Sequence, residues 1–406
     1  MGVGQLAALL DECVADRDYS YRATRLGFVK RHGLDLAFKF TFLMANSVGR
    51  PEAASGQLLL LDETKASHVQ RSLAQLSALL DAGLRPRFVR LSGIGRKGHA
   101  RLGLVWPLAM TIKLWACIVA AQLTRFPRHE RSDRASMRVV LRLYGDALAR
   151  LGRTCRGCLM MSDYTFFGTA TARLLDRPTF VAQHGLVLDD RLYYPPKADH
   201  FLAWGRGSLA RMRHDPRVVV AGKPLDERLT DGPVAAALGR PTLLYCVSSL
   251  EPTVVKRKLD VLLSLCDELN LSLAVKWHPG SLSNMADLAE ALPDRVQSYK
   301  DENLSELVFD YGVLENSTVV LDFVAMRKKF VIFDESGPCF EPYRDVLPMA
   351  ATAAGLRDAV AALPTRDFEA TFDRLLHDEL NDGQCSVGEV IRQAVSGPSS
   401  AADAAA

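Results

Sequence analysis

Three short clusters in this chain of 406 residues hold residue types suited to chemistry on an anion. The first is Lys276-Trp277-His278-Pro279-Gly280, at the end of the apolar run 272–276. Pro279 lacks a backbone donor, so it ends the run and leaves His278 on a stiff edge. An imidazole there can donate to a phosphate oxygen and help neutralise a leaving group. A histidine before proline can equally be a plain turn residue. Lys276 adds positive potential beside it.

The second cluster is Glu315-Asn316-Ser317-Thr318, with Asp322 following. Residues 311–314 form a short apolar run, and 318–326 have helical spacing. Ser317 is therefore expected as the N-cap. A helix start presents free N–H groups and the positive dipole end to an anion, although the same residue can cap a helix that binds nothing. Glu315 is expected to receive ribose hydroxyls. Asp322, four residues after Thr318, is expected on the same helix face, orienting the Thr318 hydroxyl.

The third cluster is Gln183-His184-Gly185, where the run 180–182 ends and Gly185 permits close backbone approach. An imidazole with an ordinary midpoint near neutrality is suited to take a proton from an acceptor hydroxyl. A structural histidine beside a turn is the alternative. Asp189 and Asp190 follow as further candidate bases on the acceptor side, or as solvated acids.

These clusters need elements to position them. Short apolar runs at 57–61, 87–91, 158–161, 179–182, 201–204 and 218–221 read as strands. They are interleaved with helical stretches at 68–82 and 166–175. The rhythm returns with strands at 242–246, 272–276, 311–314 and 330–333 and helices at 254–269, 284–292 and 318–326. Alternation of this kind predicts parallel sheets covered by helices. The fold class expected is α/β, with two doubly wound Rossmann-like domains facing a cleft. The boundary falls in the Gly- and Pro-rich stretch 222–239. That makes 1–225 an acceptor-side domain with a helical N-terminus and 226–395 a donor-binding domain. Residues 396–406 read as a disordered tail. Ligands of open parallel sheets bind beyond the carboxyl ends of the strands, where all three clusters fall.

Composition bounds the function. Hydrophobic residues make up 48% and charged residues 24%, as in soluble globular chains. A net charge of +3 and the absence of a recognition motif argue against nucleic acid. Between Arg85 and Arg156 the basic residues far outnumber Glu130, Asp133 and Asp146, which favours contact with an anionic membrane surface. The most apolar window, 102–123, carries Lys113 at its centre. It is expected to be buried or to lie on a membrane rather than to span one. The N-terminus lacks the pattern of a secretory signal. Eight cysteines include one C-x-x-C pair, Cys155 and Cys158, without nearby histidine, which reads as reduced thiols in a cytoplasmic protein. No acidic metal triad is visible, so neither a metal nor a cofactor is expected.

The ordered set Gln183-His184-Gly185, Gly222-Lys223-Pro224-Leu225-Asp226, the run 243–246, His278-Pro279 and Glu315-Asn316-Ser317-Thr318 through Asp322 resembles bacterial polymer transferases of the GT-B fold. It is most similar to the CDP-glycerol glycerophosphotransferases of teichoic acid synthesis. The His-Pro and paired-hydroxyl motifs also resemble those of capsule polysialyltransferases. The likeness runs over about 162–395. Three departures stand out: Thr318 replaces a second serine, Glu315-Asn316 replaces Asp-Tyr, and the Gly-x-Pro-Arg pattern lacks its arginine. The resemblance implies that His184 is the acceptor-side base and that His278, Ser317 and Thr318 hold donor phosphate. The partners it implies are a CMP-, CDP- or UDP-linked donor and a glycan or lipid-linked acceptor. The site of action would be the cytoplasmic face of the inner membrane. A UDP-sugar 2-epimerase-like enzyme and a non-catalytic glycan-assembly subunit are the rival readings.

Overall fold

The computed structural model of the chain describes residues 57–62, 67–80, 86–90, 155–187, 193–225, 239–248, 251–278, 285–300, 302–315, 317–334 and 340–396. It adds scattered positions between 5 and 12 and between 84 and 153. The apolar window 102–123, most of the basic stretch, the 396–406 tail beyond its first residue, and Asp189 and Asp190 lie outside the described residues.

The first sheet contains β1 (Gln57–Asp62), β2 (Arg87–Arg90), β3 (Cys155–Met160), β4 (Thr179–Ala182), β5 (His200–Ala203) and β6 (Val218–Val220). Their order is β2-β1-β3-β4-β5-β6, with every pair parallel. Helices α1 (Ser67–Leu79), α2 (Phe166–Leu174) and α3 (Arg206–Arg211) connect the strands. Side chains alternate across the sheet. Leu58, Leu60, Leu159 and Phe180 face α1 residues Leu73 and Leu76. Leu59, Leu61, Met160 and Val181 face α2 residues Phe166 and Phe167. A sheet covered on both faces requires the continuous apolar runs seen in the sequence.

The second sheet holds β7 (Thr242–Cys246), β8 (Ser272–Lys276), β9 (Gln297–Tyr299), β10 (Tyr311–Leu314), β11 (Lys329–Phe333) and β12 (Met349–Ala350). Their order is β12-β11-β10-β7-β8-β9, again all parallel. Helices α4 (Pro252–Glu268), α5 (Ala286–Glu290) and α6 (Val319–Ala325) connect them, and α7 (Ala353–Ala362), α8 (Glu369–Leu380) and α9 (Val387–Ser396) follow. Pro252 starts α4, where its missing N–H costs nothing. Val255, Leu259, Leu262 and Cys266 form the buried stripe of α4. α6 lies tight on β10, because a β-carbon at Gly312 would sit 2.2 Å from the Phe323 ring.

The chain leaves the first lobe at 221–223 and returns at 384–386. The two passages are joined by Ser386 N donating to Ala221 O at 2.8 Å. Gly222 has φ +81°, and a β-carbon there would lie 1.8 Å from the Gln384 carbonyl oxygen. Only glycine meets both demands. The C-terminal boundary expected at 395 needs correction. Val387 and Ile391 of α9 are buried against Leu58, Leu60 and Phe180, so this helix completes the core of the first lobe. Its apolar stripe finds its cover there, and not on the second sheet.

Candidate active site

The strand order of the second sheet reverses between β7 and β10. The crevice of a doubly wound sheet opens at such a reversal, beyond the carboxyl ends. The register aligns Leu314 with Cys246 and Cys246 with Lys276 in one row. Ser317-Thr318, Ser248 and His278 lie just past that row. His278 and Ser317 thus share one edge, separated along it by two strand spacings, ~10 Å. The preceding Trp277 is buried and donates from Nε1 to Ser298 Oγ at 2.9 Å, which anchors the turn that carries the half-buried His278. Lys276 ends β8 close enough to Cys246 to oppose, in part, the burial that pushes that thiol up to about 12.

Glu315 does not face the crevice. Its Oε1 accepts from Tyr245 Oη at 2.5 Å and Lys258 Nζ at 2.8 Å. Its Oε2 accepts from Ser248 N at 2.9 Å and Ser248 Oγ at 2.7 Å. A carboxylate has about four acceptor sites, and these donors fill them. The expected ribose contact is corrected accordingly: Glu315 ties the loop after β7 to the end of β10, across the point where the strand order reverses. Burial pushes its carboxyl up, but the Lys258 ammonium and the hydroxyl donors outweigh burial and hold it below the usual carboxylate range.

Ser317 is one residue early for the expected cap. Thr318 holds the N-cap position, and its side chain makes no bond to the helix. Ser317 Oγ instead accepts a long 3.4 Å bond from Val319 N. Asp322 does not reach the Thr318 hydroxyl. It pairs with Lys223, which comes from the first lobe and stands 5.5 Å from the Trp204 ring centroid. Lys223 belongs to the Gly222–Asp226 motif of the resemblance, but nothing in its spacing assigns it a partner.

In the first lobe, Gln183 is buried rather than presented to an acceptor. Its Nε2 donates to Gly185 O at 2.9 Å and Ser208 Oγ at 3.0 Å, and its Oε1 accepts from Trp204 N at 2.8 Å. Gln183 therefore sets the shape of the turn that presents His184. The imidazole sits in an aromatic corner. The Tyr164 hydroxyl lies 3.4 Å from Nε2, and the Tyr164 and Tyr193 ring centroids lie 6.3 and 6.1 Å from that of His184. Behind them, Asp163 accepts from the Lys197 and Ala198 amides at 2.6 and 3.1 Å and fixes the loop leading into β5. A β-carbon at Gly185 would meet Tyr193 Oη at 3.4 Å and the Thr318 methyl at 3.8 Å. The His184 turn of one lobe and the start of α6 in the other are thus neighbours.

Among the described residues no helix is long and apolar enough to cross a membrane. Among them, too, no group of His, Cys, Asp and Glu side chains could hold a metal ion. Cys155 and Cys158 are buried thiols of β3 that form no disulfide, and burial pushes the Cys155 thiol up to about 11.

No protein-family model matches this chain, and no curated protein matches it in sequence. Solved structures do match in chain path. The Staphylococcus aureus MnaA–UDP structure superposes with a TM-score of 0.51 at 12% identity, covering 83% of this chain and 95% of that one. The Methanocaldococcus jannaschii UDP-GlcNAc 2-epimerase, solved with UDP-GlcNAc and UDP, gives 0.51 at 10% identity, covering 84% and 99%. The wall teichoic acid polymerase TagF gives 0.50 at 10% identity, covering 94% of this chain and 98% of that one. The fold is GT-B. Two Rossmann-like lobes and a C-terminal helix that returns to the first lobe account for the breadth of the match. At these identities the GT-B likeness is one of architecture.

Proposed function

We propose that the chain is a transferase of cell-surface glycan assembly. It would move a sugar or an alditol phosphate from a nucleotide-activated donor to a hydroxyl acceptor in a capsule, lipopolysaccharide or teichoic-acid-like polymer. The observation that carries this reading is the juxtaposition of the His184–Gly185 turn with Thr318. It brings a candidate base of one lobe to the candidate phosphate-binding edge of the other.

In this reading the donor's phosphates lie along the edge formed by His278, Ser317 and Thr318, with Lys276 adding positive potential. Donors already in place where negative charge develops stabilise the departing nucleotide without reorganisation. His184 takes the proton of the acceptor hydroxyl as the new bond forms. Tyr164 and Tyr193 restrict its ring. Gln183 and Gly185 shape the acceptor side, where Asp189 is the further candidate. The acceptor is a glycan or a lipid-linked glycan met at the cytoplasmic face of the inner membrane, with the basic stretch 85–156 as the docking surface.

UDP in two structural neighbours, with UDP-GlcNAc in one of them, supports a nucleotide-linked donor, and the polymerase TagF supports a polymerising transfer. The 2-epimerase neighbour also favours a second reading, 2-epimerisation of a UDP-sugar. That reaction moves protons at carbon and needs acids or bases at the sugar. Glu315 is filled by four protein donors and Asp322 is paired with Lys223, so the transferase is the better supported.

A thermal-shift screen against CMP, CDP, UDP and GDP tests the donor side, because a ligand that binds only the folded chain raises its melting temperature with concentration. No shift with any of the four would remove the nucleotide-donor reading. Product analysis with UDP-GlcNAc and no acceptor separates the two activities: a 2-epimer product supports the epimerase.

A further inference from the structure

The turn 183–187 carries His184, and both of its ends are tied to one carboxylate of the opposite lobe. At the leading end, Gln183 Nε2 donates to Ser208 Oγ at 3.0 Å, and Ser208 Oγ donates to Glu379 Oε2 at 3.2 Å. At the trailing end, the Val187 carbonyl accepts from Arg211 Nε, and the same guanidinium pairs with Glu379 Oε1. The Tyr343 hydroxyl accepts from Arg211 Nη1 at 3.2 Å and donates to Glu379 Oε1. Ser208 and Arg211 lie on α3 of the first lobe, whereas Tyr343 and Glu379 belong to the second.

Glu379 is completely buried. A buried ion pair is a poor source of stability, since apolar residues of the same volume do as well or better. What such a network supplies is a defined position. Here three donors meet on one carboxylate, and two of the paths lead to the same five-residue turn. Burial pulls the Arg211 guanidinium down, and the Glu379 carboxylate beside it more than restores it.

We propose that Glu379 is a positioning residue for His184, a carboxylate of the second lobe that holds both ends of the His184 turn through Ser208–Gln183 and through Arg211. The placement of the imidazole then depends on how the second lobe docks. A displacement of α8 carries both tethers with it, so the proton acceptor is set correctly only when the nucleotide-binding lobe is seated. This deepens the transferase reading and rests on it for the role of His184.

The test is read on the ligand-free full chain, labelled with 13C at histidine Cε1. The His184 and His278 resonances are assigned with His184→Gln and His278→Gln. Ser208→Ala cuts one tether and leaves the Arg211–Glu379 pair intact. Glu379→Gln weakens both. The expected result is a displaced His184 resonance and a shifted His184 titration midpoint in Ser208→Ala, larger in Glu379→Gln, with His278 unmoved in both. An unchanged His184 resonance and midpoint in Ser208→Ala overturns the proposal, and that variant decides alone if Glu379→Gln does not fold. The reading of His184 as a base is tested separately by turnover of His184→Ala, so failure of one is distinguishable from failure of the other.

Discussion

Gly185 and Thr318 stand in opposite lobes, yet a β-carbon on Gly185 would come within 3.8 Å of the Thr318 methyl. That proximity brings the two motifs together across the lobes. It also makes Gly185 a gauge of the gap. A methyl group there meets only ordinary contacts, so Gly185→Ala is expected to melt close to the parent. Gly185→Leu must push into Tyr193 and Thr318, and overpacking of this kind costs about 1–3 kcal/mol. Thermal denaturation of the pair checks this. Equal melting temperatures for the two variants would mean that the lobes do not meet there.

His184→Ala is expected to abolish turnover while donor binding persists, because the proposed function places the donor's contacts on the second lobe. Isothermal titration with whichever nucleotide shifts the melting temperature provides the check. Loss of nucleotide binding in this variant would contradict a base role.

Ser317→Ala combined with Thr318→Ala is expected to weaken nucleotide binding. Hydrogen bonds to charged groups contribute roughly 1.5–3 kcal/mol each, so losing both is expected to cost on the order of a hundredfold or more in Kd. Neither hydroxyl forms a strong cap on α6, so the melting temperature of the ligand-free variant should change little. Unchanged affinity would reduce the pair to backbone geometry.

Glu315→Gln removes one partner of the buried Lys258 pair and leaves the ammonium uncompensated, a change that costs about 3–5 kcal/mol. The pH dependence has a definite sign. The Glu315 carboxyl is held below its usual value of 4.5 in the folded chain, so its contribution is present above 4.5 and is lost as the pH falls through the lower folded midpoint. The gap in melting temperature between the parent and Glu315→Gln is therefore expected to be full at neutral pH and to narrow below 4.5. A gap that widens on acidification would refute the assignment.

Lys223→Ala is expected to cost less. The pair with Asp322 is partly open to solvent, with side chains 14% and 28% exposed. Such pairs contribute up to about 1 kcal/mol and are screened by salt. The difference in melting temperature between Lys223→Ala and the parent should shrink as salt is added.

Much of the architecture was legible before any coordinates. β4, β7, β8 and β10 occupy the expected residues because buried parallel strands are short, continuous apolar runs bounded by turn residues. β9 and β12 are not visible in that pattern. Gln297–Tyr299 is a polar, largely exposed edge, and Met349–Ala350 is two residues long, so neither carries an apolar signature. The helices after residue 350 do not show in that rhythm, because the strand before them, β12, is two residues long and no strand follows among the described residues.

The sequence alone determined which residues end strands, because strand ends are local: a run of apolar residues stops at Pro279, at Gln183 or at Glu315. It could not say which way a polar side chain turns there. Glu315 reads as a ribose contact and Asp322 as a partner of the Thr318 hydroxyl, but Lys258 and Lys223, distant in the chain, claim both. Ser208, Arg211, Tyr343 and Glu379 carry no pattern at all until the lobes dock. Charge pairing and burial depend on what the folded chain brings within a few ångströms, and only the tertiary structure decides that.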